Sequence, residues 1–99
     1  MPIGAFINAV PMPVFMVIHT VAFLIGATFA VKAKGAGEGG LAAAFGLFAV
    51  AELLYLSYHL DWTVILFAHT LAEVCDLLAF VLVFATASSK LFARATAAR

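Results

Sequence analysis

Charge is the scarcest thing in this sequence. Asp, Glu, Lys and Arg make up 10% of the chain and hydrophobic residues 67%, with a mean hydropathy of +1.20. A soluble domain is nearer about 25% charged, so too little polar surface exists here to coat a water-soluble globule. No basic patch with interleaved aromatics occurs, which excludes a nucleic-acid partner. The single cysteine, Cys75, cannot close an internal disulfide and reads as a small packing residue. Cations are also missing from one long stretch: no Lys or Arg lies between residues 35 and 89. All basic residues fall at Lys32, Lys34, Lys90, Arg94 and Arg99, so the net charge of zero conceals a strong asymmetry.

What is present is apolar sequence in three long runs. The expected fold class is an all-α membrane protein, a single domain of three transmembrane helices in a small bundle. Residues 11–31 make the first span, with Pro11 and Pro13 in the first turn, where a missing N–H does no harm. At about 1.5 Å per residue such a span is about 31 Å long, close to the thickness of hydrocarbon. Residues 32–40, rich in glycine and charge, form the only clear loop. Residues 41–60 and 63–87 give the second and third spans, joined so closely that they must be antiparallel neighbours. Asp61 is expected to cap the third helix. Tyr55, Tyr58 and Trp62 suit one membrane interface, and Ala22, Gly26 and Ala30 offer a small-xxx-small face for close helix approach. Residues 2–10 are apolar but too short to span. They lack the positive region of a signal peptide, so the first run is expected to be a retained helix.

The basic residues set an orientation. Those of the loop and of the C-terminal tail belong on the cytoplasmic side, which leaves the N-terminus and the Asp61 turn outside. A multi-pass protein of the plasma (inner) membrane is the expected setting.

Costly side chains interrupt the apolar runs. His69, Glu73 and Asp76 are spaced i, i+4 and i+7, and Glu52, Tyr55 and His59 are spaced i, i+3 and i+7, each set forming a stripe on one helix face. Span centres near 21, 50 and 75 put His19, Glu52, Glu73 and Asp76 within about 5 Å of the midplane, and Tyr55 and His69 roughly 7–9 Å from it toward the outer face. With no Lys or Arg at that depth, the carboxylates must be protonated, hydrogen-bonded or bound to a cation. Such residues face a protein interior or a cavity rather than lipid.

Four readings follow from this pattern. In the metal reading, His69 and Glu73 form a helical ligand pair completed by Asp76, Glu52 and His19, a mixed set suited to Zn, Fe, Mn or Cu. In the haem reading, His19 and His69 are axial ligands of a b-type haem. In the relay reading, Glu52, Tyr55, Glu73 and Asp76 carry protons together with the histidines. In the docking reading, the stripes hydrogen-bond neighbouring helices or subunits, which also accounts for Asn8, Tyr58, His59 and Thr86.

Three helices can scarcely enclose this many polar groups, so association with other membrane subunits, or as a homo-oligomer, is expected. The function expected is that of a small subunit of a redox or ion-translocating membrane complex, an accessory chain rather than an enzyme on its own. The alternatives are a structural subunit that docks through its polar faces, and a homo-oligomeric transporter of a solute or metal ion. The membrane assignment predicts that the protein stays in the pellet when membranes are washed at alkaline pH. Release into the supernatant would overturn it.

Overall fold

The structure is a computed structural model and describes residues 2–97. A short 3-10 turn, Ala5–Ala9, precedes three long helices: α1 (Met12–Gly35), α2 (Gly39–His59) and α3 (Ile65–Ala97). Each is long and apolar enough to cross a membrane, with mean hydropathies of 2.2, 1.8 and 1.9 over its most apolar stretch. The chain is therefore all-helical, with the makings of a multi-pass membrane protein.

Hydrogen bonding sets the helix ends. At the end of α1, Gly37 has φ 77°, while its N–H bonds to the Lys34 carbonyl and that of Glu38 to the Ala33 carbonyl. This paired closure satisfies carbonyls that a helix end leaves orphaned. Helix α1 thus runs four residues beyond the expected end at 31, carrying Lys32 and Lys34 into its last turn, where cations suit the helix dipole. The end of α2 repeats the pattern. Asp61 has φ 60°, its N–H bonds to the Tyr58 carbonyl, and that of Trp62 bonds to the Ser57 carbonyl. Asp61 therefore closes α2 instead of capping α3, a correction to the reading of the turn. The Ser57 hydroxyl donates to the Leu54 carbonyl at 2.6 Å, which leaves the Thr63 hydroxyl to donate to Ser57 Oγ at 2.8 Å. This pair staples the α2–α3 turn.

Helix α3 continues past Ser88, Ser89 and Lys90 to Ala97, because Ala, Leu, Lys and Arg are all strong helix formers. Its 33 residues reach about 50 Å, well over the roughly 30 Å of hydrocarbon. Lys90 Nζ donates to Glu38 Oε1 at 2.6 Å. The α1–α2 loop and the end of α3 thus share one end of the molecule, the loop end; the Asp61 turn marks the other, the turn end.

Helix α2 is the centre. Both α1 and α3 pack along it, and among the described residues they share no packed interface with each other. Facing pairs run antiparallel: Phe29 with Phe45 and Phe15 with His59 across α1–α2, Tyr55 with Glu73 and Tyr58 with His69 across α2–α3. The α2 residues turned toward α1 (45, 49, 52) and those turned toward α3 (40, 58) lie more than about 100° apart around the helix. The assembly is therefore an open V of three helices, with a cleft between α1 and α3 and α2 as its floor.

Small residues make the seams. Ala51, Ala68 and Ala72 are 0% exposed and Ala44 2%, whereas Leu66, Leu77, Phe80 and Phe84 are largely exposed. Lipid gives no hydrophobic push between helices, so close approach through small side chains does the packing while the bulky ones meet acyl chains. Gly26 lies against Phe48 and Ala49: a Cβ there would meet the Phe48 ring at 2.8 Å and the Ala49 backbone nitrogen at 3.3 Å.

Two substitutions test this account by unfolding in detergent. Gly26→Val should destabilise the protein by about 2 kcal/mol through overpacking at the α1–α2 seam. Asp61→Gly should instead stabilise it by up to about 1 kcal/mol by relieving a left-handed backbone. A stabilising Gly26→Val would refute the seam.

Candidate functional site

The polar stripes meet at the turn-end half of the cleft. Helix α1 contributes His19, α2 contributes Glu52, Tyr55, Tyr58 and His59, and α3 contributes His69 and Glu73. His19 Nδ1 and Glu52 Oε2 lie 2.5 Å apart, a short hydrogen bond between imidazole and carboxyl. Glu52 is the buried acid of the molecule, 9% exposed, and His19 is its partner across the α1–α2 seam. On the other side of α2, the Tyr55 hydroxyl donates to Glu73 Oε1 at 3.3 Å. The long distance and the exposure of Glu73 make this the weaker of the two.

Rings fill the space above these bonds. His19 stacks on Tyr55 at 5.0 Å and on His59 at 5.3 Å, and Phe15 also stacks on His59 at 5.3 Å. Tyr58 lies 4.5 Å from His59, and His69 stands edge-on to Tyr55 at 5.1 Å and to Tyr58 at 5.3 Å. All three histidines thus join one continuous cluster. Beside it a cavity of about 440 Å³ is lined by Phe15, His19, Tyr55, Tyr58, His59 and His69, with Ile7, Asn8, Val10 and Met12 from the segment before α1 and its first turn.

His19, expected near the midplane, is in ring contact with His59. The extension of α1 to Gly35 moves its centre two or three residues along, about 4 Å, so His19 sits nearer the turn end than the shorter span implied. Asp76 stands apart. It lines a second cavity of about 330 Å³ with Gly26, Ala44, Phe45, Phe48 and Phe80, deeper in the same cleft and otherwise apolar.

These positions can be tested against the cofactors. A haem held by His19 and His69 needs an open slot between the two imidazoles. The Tyr55 ring occupies that space, touching both, and His19 is already bonded to Glu52. The residues do not fit a haem. Nor do His69, Glu73, Asp76, Glu52 and His19 gather as a metal centre: among the described residues, no three of His, Cys, Asp and Glu come together so as to hold an ion. Glu52 and Glu73 are instead satisfied one at a time, by His19 and by Tyr55.

Phe15 and the 3-10 segment belong to this site without having been expected there. The only sequence signal for Phe15 is its i, i+4 spacing to His19. Nothing in residues 2–10 announces that Ile7 and Asn8 turn back over the cavity. Tyr58 and Asn8, read from the sequence as helix-to-helix contacts, line the cavity wall.

The two hydrogen bonds should differ in worth. His19→Ala leaves Glu52 buried without a partner and should destabilise by about 2 kcal/mol or more. Tyr55→Phe removes only a long, exposed bond and should cost less than about 1 kcal/mol. Denaturant titration in detergent reads both, and equal effects would contradict the assignment of Glu52 as the buried acid.

The chain matches no protein-family model, no curated protein and no solved structure.

Proposed function

We propose that this protein is a small integral membrane subunit that carries part of a proton path within a larger redox or ion-translocating complex. The observation that carries the reading is the His19–Glu52 pair at 2.5 Å. An imidazole and a carboxyl at that distance, deep in a segment without cations, can pass a proton between them at little cost in rearrangement. Intramembrane chains of Asp, Glu and His are the recurrent machinery of proton movement.

The path has a direction. The basic residues favour a cytoplasmic loop end and an external turn end. Protons would enter from outside through the turn-end cavity, where His59 and His19 are in ring contact, and reach Glu52. Tyr55 and Glu73 form a parallel branch, with Asp76 one turn deeper on α3. Residues 77–87 carry no ionisable side chain, so the path ends near mid-membrane in this chain. A partner subunit would have to supply the remainder, which is why the reading is of a subunit rather than a self-contained transporter. A purely structural docking role is less favoured, since His19, Glu52, Tyr55 and Glu73 pair within the chain.

Proton entry into vesicles of native membrane, followed with an internal pH-sensitive dye after an acid pulse, tests the proposal. Glu52→Gln should slow the entry that depends on this protein by on the order of tenfold or more, and Glu52→Asp should restore part of it. Equal rates for wild type and Glu52→Gln would sink the reading.

A further inference from the structure

The turn-end cavity has a character that proton conduction does not require. It is roomy, walled by rings, and holds hydrogen-bond donors that the protein does not use. Among the described residues, the Tyr58 hydroxyl, the His59 and His69 imidazoles and the Asn8 amide have no hydrogen-bond partner in the protein, although all four residues line this space. Uncommitted donors surrounded by Phe15, Ile7, Val10 and Met12 are the usual means by which a mostly apolar pocket orients a ligand. Its volume of about 440 Å³ lies within the roughly 300–1,000 Å³ of small-molecule sites.

The lining also restricts the ligand. None of the lining residues is Lys or Arg, so the cavity offers the phosphate of a lipid headgroup no fixed positive charge. An aliphatic chain alone would leave the donors without acceptors, at a cost of about 1–3 kcal/mol for each one desolvated. A flat ring that carries oxygen acceptors satisfies both features, because its faces stack against aromatic walls and its oxygens accept from Tyr58, His59 or His69. The second cavity supplies the rest of the shape. The α2 residues of the first cavity (55, 58, 59) and of the second (44, 45, 48) fall on one face of α2 at about 100° per residue. Both cavities therefore lie along the single α1–α3 cleft, donors at the turn end and below them a trough of Ile25, Phe45, Phe48, Phe80 and Val83, apolar apart from Asp76.

We infer that the cleft binds a lipid-soluble molecule with a planar, carbonyl-bearing ring and an apolar tail, the chemistry of an isoprenoid quinone, ring in the turn-end cavity and tail along the apolar trough. The inference rests on the cavities and not on the proton path, and binding can be measured whether or not protons move.

The test uses the full chain in lipid nanodiscs with a short-tailed benzoquinone as probe. Saturable binding is expected, weakened about tenfold or more in His69→Phe and in Phe15→Ala through loss of a donor and of a stacking wall. Leu91→Ala, at the opposite end of α3, should bind as wild type does. A photoreactive azidoquinone should label wild-type protein between residues 7 and 19 and between 55 and 69, a readout that needs no variant to fold. Three results would each overturn the proposal: absence of saturable binding, labelling spread over lipid-facing residues, or equal competition by an isoprenoid alcohol that has the tail but not the ring.

Discussion

In hydrocarbon a polar side chain must find its partner inside the protein, and here the buried acid finds one partner. Glu52 and His19 meet at 2.5 Å across the α1–α2 seam, with no Lys or Arg between residues 35 and 89 to take either role. That bond fixes how α1 is rotated about its axis. Gly26, two turns further along α1, then faces Phe48 and Ala49, and Phe15, one turn earlier, faces His59. Seam, ring cluster and cavity wall all follow from one register.

The second seam obeys a different rule. Between α2 and α3 the buried residues are alanines, and the polar contact, Tyr55 to Glu73, is long and exposed. Close approach holds these helices together: Gly40 lies directly against Thr86. One flank is thus specified by hydrogen bonding and the other by shape. Both are economical in lipid, where apolar side chains gain nothing by leaving acyl chains for one another.

Three spans were legible in the sequence because hydropathy over about 20 residues is a strong signal. The stripes on α2 and α3 were legible because i, i+3 and i+4 spacing places residues on one face. Helix ends were not, since they depend on where a residue adopts a left-handed backbone, and here Asp61 does so as well as Gly37. Helix rotation was not legible either. The carboxylates could have met one another around a metal or flanked a haem; that Tyr55 stands between His19 and His69 is a matter of side-chain placement with no trace in spacing. The alanine seam was readable in part. Ala68 and Ala72 repeat the small-xxx-small pattern noticed in α1, but alanine is too common in this chain to stand out.

Because among the described residues α1 and α3 pack on α2 and not on each other, the molecule amounts to two helical hairpins that share a leg. The two seams meet through α2 and the rings it carries into the cleft, Tyr55 above all. Their free energies therefore add, with coupling confined to residues such as Tyr55 that reach both flanks. Assembly can proceed in the same order as synthesis: the α1–α2 hairpin closes first and α3 docks afterwards on a surface already formed. One flank can also swing while the other stays seated, so the width of the cleft is a soft coordinate of the fold, set as much by what lies in it as by the helices that bound it.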